Sequence, residues 1–407
     1  MIVNSKPRIA ILHYAAPPTV GGVEATMAAH ARLFADHGYA VKVIAGRGEP
    51  FDSRVPVQTI PNIDSRHSFV VQVNQKLVNG IVPDDFYPLT YAIQHGLQEA
   101  LADIDVCIAH NVLTLHKNLA LTTALRQVAQ TRKLRLIAWS HDFAWQDPVY
   151  RDEIHPGPPW DLMRQAWDGV KYVVVSEARQ KELAALLNLS EHDIAVVPPG
   201  LDAFEFLQVS EQVARWVRDL KLLDAAPLLL LPARVTRRKN IELAIEIVSA
   251  LRERGHTPKL VVMGPLGPHN PANAIYLDEL RELRRARGVE EAVIFLQEQG
   301  RVNDAARRNL YALADALLFP SAREGFGIPI LEAGIAHLPI FCADIAPFRE
   351  SAGEWADYFA LDEAPAAIAA RIADALARDA RYRLKQRVVR EYAWSRIFAE
   401  RIEPLLE

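Results

Sequence analysis

Two glutamates in the second half of the chain enclose a pliable stretch of backbone. Residues 323–334 read REGFGIPILEAG, so seven residues, including two glycines and a proline, separate Glu324 from Glu332. Paired carboxylates can act as general acid and general base, as they do in glycoside hydrolysis. Carboxylates can also accept hydrogen bonds from the hydroxyl groups of a bound polyol. The spacing by itself leaves both chemistries open.

The residues between the two glutamates favour recognition of hydroxyl groups and phosphate. Pro329 suits the first turn of a helix, which puts Glu324 in the preceding loop and Glu332 on the helix. Glycine lets the backbone approach a ligand closely. Backbone N–H groups at such a loop can meet the phosphate and the sugar of a nucleotide diphosphate sugar. The predicted donor-binding residues within this stretch are Gly325, Phe326, Gly327 and Ile328.

Four cations in PARVTRRKN provide a second candidate site. Arg234, Arg237, Arg238 and Lys239 precede a predicted helix whose N-cap we expect to be Asn240. Cations are unfavourable there because the helix dipole is positive at its N-terminus. A bound diphosphate would relieve the repulsion, and a solvated surface loop is the alternative. We predict that Arg234 and Lys239 contact the ligand and that Arg237 and Arg238 are surface companions.

The elements that must position these residues alternate between strands and helices. RIAIL, a glycine-containing loop, VEATMAAHARLFADH and YAVKVIAG form a βαβ unit, and the alternation continues along the chain. This pattern predicts α/β architecture with parallel sheets, whose ligands bind at the carboxyl ends of the strands. We predict Rossmann-like domains at residues 1–203 and 204–385 that face each other across a cleft. A further, amphipathic helix is predicted at the C-terminus, within residues 386–407.

Composition and charge exclude several classes of protein. The 407 residues carry a formal charge of -4, which argues against a nucleic-acid partner. Cys107 and Cys342 lie in apolar runs and are predicted to be buried thiols. No CxxC or HExxH pattern occurs, and the apolar run before His13 is too short for a signal peptide or a membrane span. We therefore expect a cytoplasmic protein, and no basic amphipathic helix indicates membrane contact.

Two motifs taken together resemble a known family. PSAREGFGIPILEAG and PARVTRRKN resemble the retaining glycosyltransferases of the GT-B fold, and glycosyltransferase family 4 in particular. Glu324 and Glu332 match the E-x7-E signature of that family. Arg234 and Lys239 match the Arg and Lys that follow the first strand of its second domain.

Two further segments match the first domain of the same family. GGVE, with Gly21, Gly22 and Glu24, is similar to its first βα loop. SHDF places His141 where the family has an active-site histidine. The resemblance implies that Gly22 approaches the phosphate or the acceptor, and that His141 hydrogen-bonds the donor sugar. It also implies that the C-terminal helix at 386–407 crosses back to the first domain.

The resemblance also implies roles for the charged residues. Glu332 would bind the ribose hydroxyls of the donor, and Glu324 the hydroxyls of the transferred sugar. Arg234 and Lys239 would neutralise the diphosphate as charge builds on the leaving group. That family's same-face displacement needs no protein nucleophile, no cofactor and no metal. Asp103 and Asp105, which form a DxD-like pattern, are read as a turn at the edge of the sheet away from the ligand.

Some segments differ from the family pattern and leave the substrates open. PLGPHNPANAIY and FLQEQG replace shorter, glycine-bearing turns near the nucleotide base, so GDP- and UDP-linked hexoses, such as mannose and glucose, both remain candidates. The acceptor is expected to be a hydroxyl of a sugar, a glycan or a lipid-linked glycan. The aromatic segment WSHDFAWQDPVYRDEIHPGPPW is a candidate acceptor region. The acceptor candidates are Gly21, Glu24, Trp139, Asp142 and Trp145.

Other functions fit the sequence less well. A sugar-nucleotide epimerase and a non-catalytic sugar-nucleotide-binding subunit remain the alternatives. A phosphorylase would need a lysine that binds pyridoxal phosphate, and none is recognisable. An NAD-dependent dehydrogenase is disfavoured because no strand is followed by GxGxxG.

Overall fold

The chain folds into two compact α/β units. The structure is a computed structural model that describes residues 6–19, 21–132, 134–267 and 271–407. The first unit consists of the chain up to Gly200 together with the segment Trp394–Glu407. The second unit comprises Leu201–Ala393. The sequence pattern predicts these junctions at residues 203 and 386.

A seven-stranded parallel sheet forms the centre of the first unit. Its strands are β1 (Ile9–His13), β2 (Val41–Ala45), β3 (Val57–Thr59), β4 (Val106–His110), β5 (Arg135–Ser140), β6 (Val170–Val174) and β7 (Ile194–Val196). Their spatial order is β3-β2-β1-β4-β5-β6-β7. The order changes direction between β1 and β4, which makes the carboxyl ends of these strands the topological switch point where such sheets bind ligands.

Helices accompany this sheet along the chain. They are α1 (Gly22–Asp36), α2 (Ser68–Leu77), α3 (Phe86–Ala100), α4 (Leu119–Thr131) and α5 (Glu177–Leu187). Short 3-10 segments lie at Pro61–Ile63, His116–Asn118, Pro148–Glu153, Trp160–Met163 and Glu191–Asp193. In α1 the buried residues recur at helical spacing, and they include Met27, His30, Ala31 and Phe34. This face of α1 brings a histidine into the apolar core.

The second unit has a six-stranded parallel sheet. Its strands are β8 (Leu228–Leu231), β9 (Lys259–Val262), β10 (Val293–Phe295), β11 (Ala316–Phe319), β12 (Ile340–Ala343) and β13 (Asp357–Phe359), in the order β10-β9-β8-β11-β12-β13. Its helices are α6 (Ala203–Phe206), α7 (Glu211–Asp219), α8 (Ile241–Glu253), α9 (Ala272–Ala286), α10 (Asp304–Leu313), α11 (Ile328–Ile335), α12 (Ala346–Ala352), α13 (Pro365–Arg378) and α14 (Ala380–Glu391). Further 3-10 segments lie at Leu222–Asp224, Arg237–Lys239 and Leu296–Glu298. The α/β fold predicted from the sequence is confirmed.

Strands buried on both faces explain the continuous apolar runs of the sequence. All four residues of β8 are buried, and so are those of β11 and β12. Cys107 and Cys342 are buried free thiols in central strands, as predicted. Burial raises the pKa of each thiol to about 12, so both are held in the unreactive thiol form. Among the described residues, we find no helix with both the length and the apolar character to cross a bilayer.

The C-terminal segment belongs to the first unit. It consists of α15 (Trp394–Ile397), a π-helical turn at Phe398–Ile402 and a 3-10 turn at Glu403–Leu406. Phe398 is fully buried, and its ring meets those of Phe34 and Tyr39 edge to face. Tyr39 also donates a hydrogen bond to Glu403, over 2.7 Å. These contacts attach the segment to α1 and to the chain that follows it.

We expect Phe398→Ala to destabilise the first unit by about 3–5 kcal/mol, because truncating a buried aromatic ring leaves a cavity. Urea unfolding measures the loss. The exposed Leu384 on α14 provides the control, since Leu384→Ala should change the free energy of unfolding by about 0.5 kcal/mol at most. Equal effects of the two substitutions would contradict the anchoring role of Phe398.

Candidate functional site

A buried ion pair joins the two candidate motifs of the second unit. The ammonium group of Lys239 contacts one carboxylate oxygen of Glu324, and Arg238 Nη1 donates to the other oxygen over 3.0 Å. The side chains of Lys239 and Glu324 are only 9% and 11% exposed. Lys239 lies in the loop after β8 and Glu324 in the loop after β11, and these strands are neighbours. The cluster therefore lies at the carboxyl edge of the sheet.

The turn that carries the cations explains why one of them is buried. Residues 237–239 form a single 3-10 turn, and Asn240 follows in the left-handed conformation with a φ of 49°. Asn240 is the N-cap residue of α8, as predicted, but its side chain makes no capping hydrogen bond. Asparagine tolerates this backbone conformation better than most residues. The reversal turns Lys239 inward, where its ammonium group lies 5.2 Å from the centre of the Phe319 ring.

The four cations have different surroundings. Arg234 is exposed, and its charge contributes to the low pKa of Lys239. Arg237 is exposed and bonds Glu279 on α9, as expected of a surface companion. Arg238 is also exposed, with 49% of its side chain accessible, and its guanidinium bonds both Glu324 and the carbonyl of Arg323, the latter over 2.9 Å. Arg238 thus belongs to the site.

Burial and charge have opposite effects on the central carboxylate. Burial alone would raise the pKa of Glu324, but hydrogen bonds from Lys239 and Arg238 hold that pKa below its usual value. Burial lowers the pKa of Lys239, and the neighbouring Glu324 opposes that shift. Glu324 is therefore an ionised acceptor at neutral pH. A carboxylate in that state can receive hydrogen bonds from hydroxyl groups but cannot donate a proton.

The glycines between the glutamates set the path of the backbone. Gly327 adopts a φ of 102°, which residues with a side chain rarely adopt, and directly precedes α11. A Cβ atom there would approach the Phe348 ring to 3.0 Å. Gly325 has open space around it, and Phe326 and Ile328 are exposed. The loop thus leaves exposed surface beside the Lys239–Glu324 pair.

Glu332 forms a second cluster with residues that the sequence analysis did not identify. Its carboxylate accepts a bond of 2.9 Å from Arg307 Nη1 on α10. Burial, together with the nearby Glu332 carboxylate, raises the pKa of Tyr311, one helical turn beyond Arg307. Arg307 and Tyr311 are spaced so that they lie on one face of a predicted helix, and this spacing is the signal in the sequence that could have identified them. Their partner on α11 could be recognised only from the fold.

In the first unit, His141 lies in a cluster of histidines. It follows β5, while His110 ends the adjacent β4 and His13 ends β1. The distance from His110 Nδ1 to His141 Nε2 is 3.2 Å, and that from His13 Nδ1 to the His110 carbonyl is 2.9 Å. Burial lowers the pKa of His141 to about 4, so the ring is neutral at pH 7. This cluster marks the carboxyl edge at the switch point of the sheet.

The glycine loop meets the same cluster from the other side. Glu24 is in the first turn of α1, and its carboxylate lies 3.7 Å from His13 Nε2. The nearby His13 ring lowers the pKa of Glu24. A Cβ atom on Gly21 would lie 2.2 Å from that carboxylate, whereas the space around Gly22 is open. Glycine at position 21 therefore leaves room for the Glu24 carboxylate in its present position.

The acceptor candidates after β5 differ in their accessibility. The prediction for Trp139 is corrected, because its indole is buried within the core beside His30 and His110 and cannot reach an acceptor there. Trp145 is half-buried and donates to the carbonyl of Trp160 over 3.3 Å. Asp142 is exposed, with a carboxylate oxygen 3.7 Å from Arg179. Asp142 is therefore accessible, whereas the Trp145 ring is only partly exposed and has Arg164 above it at 4.5 Å.

The remaining predicted loops are placed as follows. Asp103 bonds Lys42 and Asp105 bonds Arg8, both at the amino ends of strands, which agrees with the interpretation of this pattern as a turn. FLQEQG forms a 3-10 turn at Leu296–Glu298 directly after β10. The centre of the other unusual loop, residues 268–270, lies outside the described residues.

No group of three potential metal ligands occurs in the part of the chain that the structure describes.

Comparison with known proteins supports the interpretation of both units. The model of "Glycosyltransferase Family 4" matches residues 20–203, and that of "Glycosyl transferases group 1" matches residues 213–393. The chain is a family 4-like glycosyltransferase of the GT-B class. The resemblance to glycosyltransferase family 4 that the sequence motifs indicate is thereby confirmed.

Two of the relatives of this glycosyltransferase share one name, mannosylglucosylglycerate synthase. A mannosylglucosylglycerate synthase of Thermotoga maritima is 27% identical over 84% of this chain and 82% of its own length. Another from Petrotoga mobilis is 26% identical over 61% of this chain and 63% of its own length. Among solved structures, WaaG, a glycosyltransferase involved in lipopolysaccharide biosynthesis, is 18% identical over 98% of each chain, with a TM-score of 0.34.

Proposed function

We propose that the chain is a retaining glycosyltransferase that transfers a hexose from a nucleotide diphosphate sugar to a hydroxyl acceptor. The observation that carries the proposal is the buried Lys239–Glu324 pair with Arg238 at the carboxyl edge of the second sheet. It combines cations suited to a diphosphate with an ionised acceptor suited to sugar hydroxyls. Glu332 is the proposed contact for ribose and Arg234 a further contact for phosphate.

The proposed reaction needs no protein base. The bond from the anomeric carbon to the diphosphate oxygen breaks, and a bond to the acceptor oxygen forms on the same face of the sugar. The acceptor proton passes to the departing diphosphate oxygen. Lys239 and Arg234 stabilise the negative charge that develops on that oxygen, which replaces the role a metal ion has in other enzymes. His141, neutral at pH 7, is proposed to hydrogen-bond the sugar.

The names of the relatives favour mannose as the transferred sugar and leave GDP- and UDP-linked donors as candidates. The Thermotoga relative is named a mannosylglucosylglycerate synthase, and Escherichia coli relatives over part of the chain are named serotype-specific mannosyltransferase WbdA. We propose a sugar, a glycan or a lipid-linked glycan as acceptor. An epimerase or a non-catalytic subunit is not favoured, because both glutamates, Arg234 and Lys239 are all present.

A panel of UDP-, GDP- and ADP-hexoses tests the donor assignment. Thermal shift and slow donor hydrolysis should single out one nucleotide, and transfer should continue in excess EDTA. NMR of the glycoside should show the anomeric configuration of the donor. Inversion would overturn the retaining mechanism, and loss of activity on chelation would overturn metal independence.

We expect Glu332→Ala to weaken binding of the nucleoside diphosphate by ~10- to 100-fold, because a hydrogen bond to a charged group contributes about 1.5–3 kcal/mol. Calorimetry with the preferred nucleotide measures the change. The matched control is Glu282→Ala, which removes a carboxylate exposed on α9 and bonded to Arg285. Unchanged nucleotide affinity in the Glu332 variant would contradict the assignment to ribose.

A further inference from the structure

We propose that His110 is a positioning residue that fixes His141 in the tautomer with its proton on Nδ1. His141 would then act as a hydrogen-bond donor to the bound sugar and not as a general base. The inference rests on the proposed function, in which His141 contacts the donor. It assigns a role to a buried histidine outside the motifs recognised in the sequence.

The contact between the two rings restricts the possible proton positions. His110 Nδ1 and His141 Nε2 are 3.2 Å apart, so one nitrogen donates and the other accepts. Burial lowers the pKa of both histidines, and that of His110 lies well below its ordinary value. Each ring therefore carries a single proton at pH 7. Only two arrangements of these two protons satisfy the hydrogen bond.

The surroundings of His110 distinguish between the two arrangements. Its Nε2 atom is buried and has no hydrogen-bond partner. If His141 donated, the proton of His110 would lie on this Nε2 and would be a buried donor without an acceptor. Such orphaned N–H groups are rare because their desolvation is not compensated. The favoured arrangement has the proton of His110 on Nδ1, directed at His141 Nε2.

The backbone around both histidines holds this geometry. Asn111 Oδ1 accepts a bond of 2.7 Å from the backbone N–H of His141, and Asn111 Nδ2 donates to Asp142 over 3.3 Å. Asn111 has a φ of 57°, a conformation that asparagine adopts more readily than most residues. The His110 ring stacks on Trp139, with an angle of 22° between the ring planes. Both partners of the contact are therefore held on rigid elements.

The consequence concerns what His141 can do chemically. Its Nε2 lone pair accepts the bond from His110 and is not available to remove a proton from an acceptor. Its Nδ1 makes no hydrogen bond to any residue that the structure describes, and in this tautomer Nδ1 carries the proton. The ring can then donate to an oxygen of the sugar. This agrees with a reaction in which the leaving diphosphate takes the acceptor's proton.

Histidine ¹⁵N NMR on the full chain tests the tautomer without any substrate. The long-range correlations of His141, assigned by loss of its signal in His141→Gln, should show the proton on Nδ1 at pH 7. His110→Asn keeps an amide donor near the Nδ1 position and should leave this pattern unchanged. His110→Gln moves the amide toward the unpartnered Nε2 position, and His110→Leu removes the donor. Both should shift the His141 proton toward Nε2.

Kinetics with the preferred donor supply a second readout. His110→Gln and His110→Leu should lower kcat about tenfold with little change in KM for the acceptor, whereas His110→Asn should restore most of the rate. A His141 proton on Nε2 in the unmodified protein would overturn the proposal, and so would equal rates in the Asn and Gln variants. If no nucleotide sugar binds or reacts, the proposed function fails, and the NMR result still decides the tautomer.

Discussion

Replacing Lys239 with alanine is expected to lower kcat for sugar transfer by ~100- to 1,000-fold, with a smaller effect on donor binding. The magnitude is that of removing one preorganised group that stabilises developing charge in an active site. Lys239 is largely buried, so its charge acts in an environment of lower dielectric constant than bulk water. Charge builds on the diphosphate as the glycosidic bond breaks, and that is when the ammonium group contributes most. Steady-state kinetics with the preferred donor measure the loss.

Two further variants separate this electrostatic effect from a loss of structure. Lys239→Met keeps the aliphatic stem beside Phe319 and removes only the charge, so it should be as inactive as the alanine variant. Arg237→Ala removes a cation from the same turn, but that cation is exposed and bonds Glu279. It should retain activity within about a factor of three, since an exposed ion pair contributes little. Full activity of Lys239→Met would remove this lysine from the phosphate site.

The sequence predicts the centre of this site well because its residues lie in loops after predictable strands. The carboxyl ends of neighbouring parallel strands share one edge, so Lys239 and Glu324 could be placed on that edge from the order of elements alone. The direct contact between them could not be predicted. It depends on the left-handed Asn240, which reverses the chain and turns Lys239 inward. The same turn brings Arg238 to Glu324, which the pattern of charges could not indicate.

In the first unit, some elements and the burial of one side chain could not be predicted from the sequence. The alternation of strands and helices did not identify β3, α2 or α3, which lie in a stretch without strong apolar runs. Trp139 is predicted as an acceptor candidate because aromatic rings suit sugars, yet it lies on a strand that is buried at every position after Arg135. Its burial depends on α1 and on the C-terminal segment, which contribute His30 and Trp394 to the same core. Such long-range packing has no local signature.

His30→Leu is expected to raise the free energy of unfolding relative to the unmodified protein, and to do so more at pH 5 than at pH 7. The His30 ring is fully buried among Trp139, Trp394 and His110, and neither of its nitrogens has a hydrogen-bond partner. Burial lowers the pKa of His30 to about 3, compared with about 6.5 for an unfolded histidine. Above pH 6.5 the ring is neutral in both states, and its contribution to stability does not change with pH.

Below that pH the unfolded chain takes up a proton that the folded chain does not. The free energy of unfolding then falls by about 1.4 kcal/mol for each pH unit as the pH decreases toward the folded pKa. Between pH 7 and pH 5, His30 should therefore lower the free energy of unfolding of the unmodified protein by about 2 kcal/mol. The leucine variant does not show this decrease. This difference is independent of how well leucine packs, because the packing change is the same at both pH values.

Urea unfolding of both proteins at pH 7 and pH 5 measures the difference. His95→Leu is the matched control, because His95 lies on α3 with an exposed side chain near Glu99. Its substitution should shift the free energy of unfolding by similar amounts at the two pH values. Parallel pH dependences of the His30 variant and the unmodified protein would show that His30 can be protonated in the folded state. The histidine cluster would then be hydrated, and His110 and His141 would not each be limited to a single proton.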